Sequence, residues 1–304
     1  MTPTKPTARI SRALVVTIGE PFPSDCPARL YRARTDSGAP VLVSVVPPAL
    51  AKSAVIEAGL PPVSAGPASS GDFYLAYDIP CGETLAERLR STARLPWGVA
   101  ARAFSPVAAR LAELHLRDRA YGEMCPEELV FDLEGNLTSV SREVRKLSRS
   151  FERRRTPKPR MSVLPFMAPK RARGEYPTAE SDVFTLGAIL FNAIAGFVPF
   201  AGRGFLDQVH LVQTAEGPRL SQVDPKILEI ISDVVSASLR KIPARRPSAE
   251  VVASALQLGI RRAFPEDLPW HEESESARDA PVWILSDGPC AGDSGPASTS
   301  PPRF

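Results

Sequence analysis

Residues 166–200 read FMAPKRARGEYPTAESDVFTLGAILFNAIAGFVPF, and this stretch decides the fold. Apolar residues recur at helical spacing from Val183 to Ala195, which predicts a buried helix. Asp182 stands at the predicted start of that helix, where its carboxylate suits capping. Gly187 has no side chain and would allow another element to pack closely against the helix.

The motifs of this stretch resemble those of bacterial Ser/Thr protein kinases. Kinases of this group carry the motifs Y-M-A-P-E-Q, S-D-V-Y-S-L-G and T-G-x-x-P-F, in this order, at the end of the activation segment and in the buried helix that follows it. This chain has similar sequences, with the same order and spacing, at residues 166–175, 181–190 and 195–200. Residues 243–249 are similar to D-P-x-x-R-P-S-A, and residues 73–85 are similar to the kinase hinge. The resemblance covers about residues 13 to 260 and implies a two-lobed α+β protein-kinase fold.

The resemblance also implies structural roles for three residues. In kinases the counterpart of Asp182 binds the backbone of the catalytic loop, and Gly187 permits helix packing. Arg246 corresponds to the arginine that meets the glutamate of A-P-E, but Lys170 replaces that glutamate. Because two cations would then face each other, we expect either that Arg246 has another partner or that the loop is shifted.

The hydrophobic pattern divides the chain into four parts. The first part of the chain shows the pattern of β-strands, at residues 13–18, 30–34, 41–46 and 73–79. A short helical stretch at 49–60 and then a Pro/Gly/Ser loop lie between the third and the fourth of these strands, and helical periodicity dominates after the fourth. Residues 129–140 contain a turn sequence typical of a β-hairpin. The predicted parts are a flexible N-terminus (1–12), a β-rich N-lobe (13–79), a helical C-lobe (80–260) and a disordered acidic tail (261–304).

Composition excludes several classes of protein. Hydrophobic residues make up 43% of the 304 residues, which is enough for a buried core, and no apolar run approaches the ~18 residues of a membrane span. The apolar run at 13–18 is too short for the core of a signal peptide. Four widely spaced cysteines fit neither a zinc site nor a disulfide framework. A reducing, cytoplasmic location and no membrane association are the expectation.

The phosphate-binding positions of a kinase are changed. By register, the glycine-rich loop begins at Ile18 and Gly19, but residues 20–27, EPFPSDCP, bring three prolines and two acidic side chains instead of further glycines. The motif V-A-x-K corresponds to residues 41–44, VLVS, so Ser44 stands where a lysine would bind the phosphates. Lys52 is the nearby alternative.

The catalytic loop and the metal-binding motif are changed as well. H-R-D-L-K-P-E-N aligns with residues 121–128, YGEMCPEE, which places Glu123 at the catalytic base and Glu128 at a metal-binding asparagine. D-F-G aligns with residues 141–143, so Ser141 replaces the principal metal ligand. We interpret Glu123 and Glu128 as solvated loop carboxylates; the alternative is that they act as base and metal ligand.

The hinge gives an independent indication. If Tyr77 is the gatekeeper, Asp78 follows it and Pro80 occupies the position whose N–H binds adenine in kinases, which a proline cannot do. The resemblance with these changes predicts a catalytically inactive kinase-like domain, a pseudokinase without a cofactor. The alternative is a divergent, weak Ser/Thr kinase that uses ATP and Mg²⁺ with Glu123 and Glu128, and a third possibility is a domain kept only for assembly.

The charges suggest a partner. Residues 142–175 contain 12 Lys/Arg and 3 Asp/Glu, whereas residues 262–304 contain 3 Lys/Arg and 8 Asp/Glu. Arginine clusters bind phosphate groups, and the scarcity of interleaved aromatic residues disfavours nucleic acid. We therefore expect a protein partner, acidic or phosphorylated, or a true kinase, with the acidic tail as an internal alternative. The candidate contacts are Arg145, Lys146, Arg149, Arg153, Arg154 and Arg155.

Overall fold

The computed structural model describes residues 16–22, 29–35, 38, 40–58, 62–68, 70–122, 124–132, 134–140, 147 and 163–263. Residues 1–15 and 264–304 lie outside this range, as do Glu123, Ser141 and all six candidate contacts of the basic segment. The predictions made for them therefore stay predictions. Residues 261–263, which the sequence interpretation assigned to the acidic tail, belong instead to the last helix of the described range.

The N-terminal lobe is built on a five-stranded antiparallel sheet in the order β1-β2-β3-β5-β4. Its strands are β1 (Val16–Pro21), β2 (Arg29–Thr35), β3 (Pro40–Val46), β4 (Ser64–Pro67) and β5 (Phe73–Tyr77). The helical stretch between β3 and β4 is α1 (Ala51–Ala58), preceded by a 3₁₀ turn at Pro48–Leu50. Four of these strands fall on the predicted apolar runs.

Strand β4 corrects the sequence interpretation, which assigned this stretch to a loop. Gly66 and Pro67 are poor strand formers, but β4 is an edge strand that pairs only with β5. An edge strand tolerates a proline because one side of its backbone needs no partner. Small residues are also needed here, since a Cβ at position 66 would approach the ring of Tyr74 to 3.0 Å.

Strand β3 is buried on both faces from Val41 to Val46. One face carries Val41, Val43 and Val45, which belong to a small cluster within the lobe. The other face carries Leu42, Ser44 and Val46, and it points toward the C-terminal lobe. The side chain at position 44 therefore lies on the face that looks between the lobes.

The C-terminal lobe is mainly helical and contains the largest core. Its helices are α2 (Leu85–Thr92), α3 (Trp97–His115), α4 (Pro169–Ala172), α5 (Ala179–Ala195), α6 (Phe205–Thr214), α7 (Leu220–Val223), α8 (Glu229–Ser238) and α9 (Ala249–Ala263). The predicted hairpin is present as β6 (Leu129–Phe131) and β7 (Leu137–Ser139). Among the described residues, no helix combines the length and the apolar character needed to cross a membrane.

Helix α5 runs through the centre of this lobe and is buried along nearly its whole length. Gly187 lies where α5 meets α8: a Cβ at this position would come within 2.6 Å of the Cβ of Ser238. The close approach of the two helices therefore requires a glycine. Thr178, not Asp182, caps the helix, in a capping box with Ser181.

Candidate functional site

Ser44 is the residue at the phosphate-binding position, and it is almost completely buried, with 2% of its surface exposed. It lies on β3 opposite Leu30 of β2 and Leu75 of β5, so its neighbours across the sheet are hydrocarbon. Lys52, the alternative cation, is exposed on α1. Position 44 thus offers no positive charge to the space between the lobes.

Apolar side chains from both lobes belong to one buried cluster, which we name the interlobe cluster. Its sheet-side members include Leu42 and Tyr77, and its members from the C-terminal lobe include Val130 and Val140. Burial raises the pKa of Tyr77 to about 12. The complete cluster consists of Phe22, Leu30, Leu42, Val46, Ala54, Leu75, Tyr77, Ile79, Cys81, Val130, Val140 and Leu147.

The linker between the lobes, residues 78–84, follows β5. Asp78 and Pro80 are exposed, while Ile79 is buried and donates its N–H to the carbonyl oxygen of Tyr77 at 2.9 Å. Pro80 has no N–H to donate. The carbonyl oxygen of Cys81 accepts a hydrogen bond of 3.0 Å from Nε of Arg32. One linker carbonyl is therefore already bound by the protein itself.

Sequence reasoning missed the role of Arg32 and Glu87. Arg32 is on β2 opposite Leu42, and its guanidinium binds both carboxylate oxygens of Glu87 on α2. Glu87 also closes a capping box with Thr84, whose backbone N–H it accepts at 2.8 Å. Despite the opposing effect of burial, hydrogen bonds from Arg32 and Thr84 lower the pKa of Glu87 to about 2. The pattern Thr-x-x-Glu at 84–87 was the available signal.

Asp182 anchors the loop that corresponds to the catalytic loop. Its carboxylate accepts the backbone N–H of Tyr121 at 2.6 Å and that of Gly122 at 2.9 Å, and Nε2 of His115 lies 3.0 Å away. The side chain is 1% exposed. The loop is thus fixed by a buried carboxylate even though its chemically active positions are changed.

Glu128 departs from the expectation of a solvated loop carboxylate, which is wrong for this residue. It ends a 3₁₀ turn, Pro126–Glu128, and is completely buried. Its carbonyl oxygen accepts the N–H of Val140 at 2.9 Å, which ties the turn to the end of β7. This hydrogen bond extends the pairing of β6 with β7 to residue 128, so Glu128 belongs to the buried start of the hairpin and not to a solvated loop.

At the position of the kinase glycine-rich loop, the structure defines the course of the backbone. Ile18 and Gly19 continue β1, and the pairing with β2 becomes irregular between Ile18 and Pro21. Phe22, which follows the strand, is buried in the interlobe cluster. The chain at this point adds an apolar ring to the space between the lobes.

Arg246 binds partners other than Lys170, the residue at the position of the A-P-E glutamate. Its guanidinium donates to the carbonyl oxygens of Glu180, Arg240 and Lys241 at 2.7, 2.7 and 3.2 Å. Burial lowers the pKa of Arg246 to about 10, against the attraction of the Glu180 carboxylate. A hydrogen bond from Thr178 and the charges of Lys170 and Arg246 lower the pKa of Glu180. The negative charge of Glu180 therefore lies near the positive charges of both Lys170 and Arg246.

Nothing in the described residues brings three or more His, Cys, Asp or Glu side chains together as a metal-binding group. Cys125, at the position of the catalytic-loop lysine, is buried. Among the residues predicted for the nucleotide cleft, Ser44 and Tyr77 are buried on neighbouring strands of the sheet, whereas Asp78 and Pro80 are exposed in the linker.

Comparison with known proteins finds bacterial serine/threonine protein kinases among the relatives of this chain, although no protein-family model matches it. The serine/threonine-protein kinase PknA of Corynebacterium glutamicum is 25% identical over 214 residues, which are 69% of this chain and 45% of that protein. PrkC of Bacillus subtilis is 23% identical over 195 residues, 64% of this chain and 30% of that protein. PkaB of Streptomyces coelicolor is 28% identical over 204 residues, 64% of this chain and 46% of that protein.

The chain spans less than half the length of each of these relatives. The similarity covers most of this chain, and the structure has the small antiparallel sheet and the larger helical lobe that the motifs implied. By fold and by similarity, the chain is related to the bacterial serine/threonine protein kinases.

Proposed function

We propose that this kinase-like domain is catalytically inactive and acts as a protein-binding scaffold or allosteric regulator in Ser/Thr phosphorylation signalling. The observation that carries the proposal is Ser44, a buried hydroxyl among hydrocarbon neighbours where phosphoryl transfer needs a cation. Catalysis of this reaction consists mostly of positioning and charge neutralisation. Without the cation, bound phosphates would remain uncompensated.

The interlobe cluster supports the same conclusion. Leu42 and Tyr77 from the sheet and Val130 from β6 belong to one buried hydrophobic cluster. A nucleotide placed between the lobes would have to displace the packing of these buried side chains against one another, which costs free energy. The binding of adenine would have to exceed that cost without the N–H that Pro80 lacks.

The partner is proposed from the sequence. The basic segment that contains Arg149 and Arg153-Arg154-Arg155 suits an acidic or phosphorylated protein, because arginine binds phosphate in a bidentate manner. A true kinase is the other partner in this proposal. The proposal also includes a cytoplasmic location, because the wide spacing of the four cysteines does not suit a disulfide framework.

Thermal unfolding with and without millimolar ATP and Mg²⁺ tests the inactive cleft. We expect no shift in Tm, whereas a ligand at 100 times its Kd would add about 2.7 kcal/mol and raise Tm by a few degrees. A Mg²⁺-dependent rise in Tm would contradict the proposal.

Partner binding needs a separate experiment. We expect the full chain to bind immobilised phosphopeptides more tightly than the same peptides without phosphate, and to lose this preference when Arg153, Arg154 and Arg155 are replaced by alanine. A matched variant with the exposed Arg203, Arg261 and Arg262 replaced by alanine removes the same number of positive charges elsewhere in the chain. Equal loss in both variants would argue against a specific basic segment.

One observation favours the alternative of a divergent, weak kinase. Glu128 is buried next to the end of β7 and is not a solvated loop side chain. The alternative requires measurable autophosphorylation or peptide phosphorylation with ATP and Mg²⁺ that is lost in both Glu123→Gln and Glu128→Gln. Activity that survives both substitutions would exclude these two residues as base and metal ligand.

A further inference from the structure

A cavity of about 520 Å³ lies beneath the linker; it shares Asp78, Pro80 and Val140 with the cleft between the lobes, and most of its other walls come from the C-terminal lobe. Its walls come from linker residues 78–80, one side of α3, the loop residues Tyr121 and Met124, and strand β7 through Val140. No described residue of the five-stranded sheet lines it. The cavity thus belongs to the C-terminal lobe and the linker.

Helix α3 forms the longest wall. Val107, Leu111 and Leu114 recur at helical spacing and face the cavity together. Pro106 lies inside the same helix, lines the cavity and is exposed, so it marks the mouth. A proline in a helix interior removes one hydrogen bond and bends the helix, which favours a gap on the adjoining face.

The chemistry of the walls indicates the kind of ligand. Ile79, Met124 and Leu137 complete an apolar lining. One polar spot interrupts it: Ser139 donates its hydroxyl hydrogen to the hydroxyl oxygen of Tyr121 at 2.8 Å, and both residues line the cavity. Binding sites for small molecules have volumes of roughly 300–1,000 Å³, apolar walls and few polar groups.

The rim charges offset one another. Arg110 and Asp78 both line the cavity and carry opposite charges. Arg110 is also paired with Glu113 at 2.8 Å. A charged ligand would therefore meet one like charge and one opposite charge at the rim, so the rim gives no net preference for an anion or a cation.

We propose that the cavity beneath the linker binds a neutral, largely apolar small molecule with one hydrogen-bonding group for the Tyr121–Ser139 pair. The site requires neither a nucleotide in the cleft nor a partner on the basic segment, so it goes beyond the proposed function. Because the ligand would touch both the linker and α3, its binding would stabilise the folded domain.

The test uses the full chain and the neutral fluorescent dye N-phenyl-1-naphthylamine. We expect saturable binding of one dye per chain, unaffected by ATP and Mg²⁺, and a dye-dependent rise in Tm. Pro106→Trp and Thr138→Trp fill the cavity from two exposed positions and should each weaken dye binding at least tenfold. The matched variants Pro106→Ala and Thr138→Ala, which do not fill the cavity, should bind within about twofold of the original chain.

We use two tryptophan variants because one of them could fail to fold. The unfolding curve of each variant shows whether it is folded. Dye binding that persists in both folded tryptophan variants would overturn the proposal. So would displacement of the dye by ATP and Mg²⁺, because it would place the dye in the cleft. The absence of any saturable binding would overturn it as well, and none of these results depends on whether the chain transfers phosphate.

Discussion

Arg32 on β2 and Glu87 on α2 form a bidentate ion pair that joins the sheet to the helical lobe across the linker. One of its hydrogen bonds, from Nη1 to Oε1, measures 2.8 Å. The guanidinium carbon also lies 5.6 Å from the centre of the Phe22 ring, and Nε binds the carbonyl oxygen of Cys81. Arg32 therefore connects three parts of the chain at the edge of the interlobe cluster.

The ion pair should contribute to stability. We expect Arg32→Met to lower the free energy of unfolding by about 1–3 kcal/mol, because it removes charge-assisted hydrogen bonds at a half-buried position. Arg110→Met removes an exposed pair with Glu113 and should cost under about 1 kcal/mol. Urea unfolding of both variants measures the difference. Equal losses would show that Arg32 does not join the lobes.

The stability due to Glu87 should depend on pH in the acidic range. Its pKa is about 2 in the folded chain, below the ordinary value of 4.5. A lowered pKa stabilises the folded state above the ordinary value, and this contribution is lost as pH falls toward the folded pKa. We expect the difference in unfolding free energy between the original chain and Glu87→Gln to be constant near neutral pH and to shrink below a pH of about 4.5.

The control for this pH dependence is Glu113→Gln, which removes the carboxylate of an exposed pair. We expect its unfolding free energy to follow that of the original chain across the same range. A difference for Glu87→Gln that does not change between pH 6 and pH 3 would contradict the assignment of the low pKa to this residue.

Asp182→Asn should loosen the loop at Tyr121 and Gly122. An amide offers one acceptor oxygen where the carboxylate accepts two backbone N–H groups, so we expect a loss of about 2–4 kcal/mol. In the variant, hydrogen exchange of these two amides should accelerate relative to the original chain by more than the exchange of amides in α9 does. If only global unfolding accelerates, without a local effect at residues 121 and 122, the anchoring role is wrong.

Gly187→Ala should destabilise the C-terminal lobe by about 1–3 kcal/mol, because the added methyl group would meet Ser238. Combining it with Ser238→Gly should recover part of the loss, since that change removes the clashing Cβ. Gly204→Ala is the control, because a Cβ at position 204 has no atom within 4 Å. Calorimetry of the single variant, the double variant and the control measures the effect, and a failure of Ser238→Gly to recover any stability would argue against the clash.

The sequence predicted most of the fold and only part of the site. The helix at 183–195 and four of the five sheet strands were predictable, because the periodicity of apolar residues follows from the local geometry of helices and strands. Strand β4 was not, since its pairing with β5 rests on tertiary position and not on strand propensity. Glu128 was misjudged for the same reason: its burial depends on its attachment to Val140.

What the sequence by itself determined is the relationship to kinases and the identity of the changed positions, Ser44 and Pro80 among them, because motif order and residue type are properties of the chain. The tertiary structure decided what surrounds those positions: the interlobe cluster, the pair of Arg32 with Glu87, and the cavity beneath the linker. Residues far apart in sequence create these features. Which of them meet is fixed only when the sheet packs on the helical lobe and both exclude water.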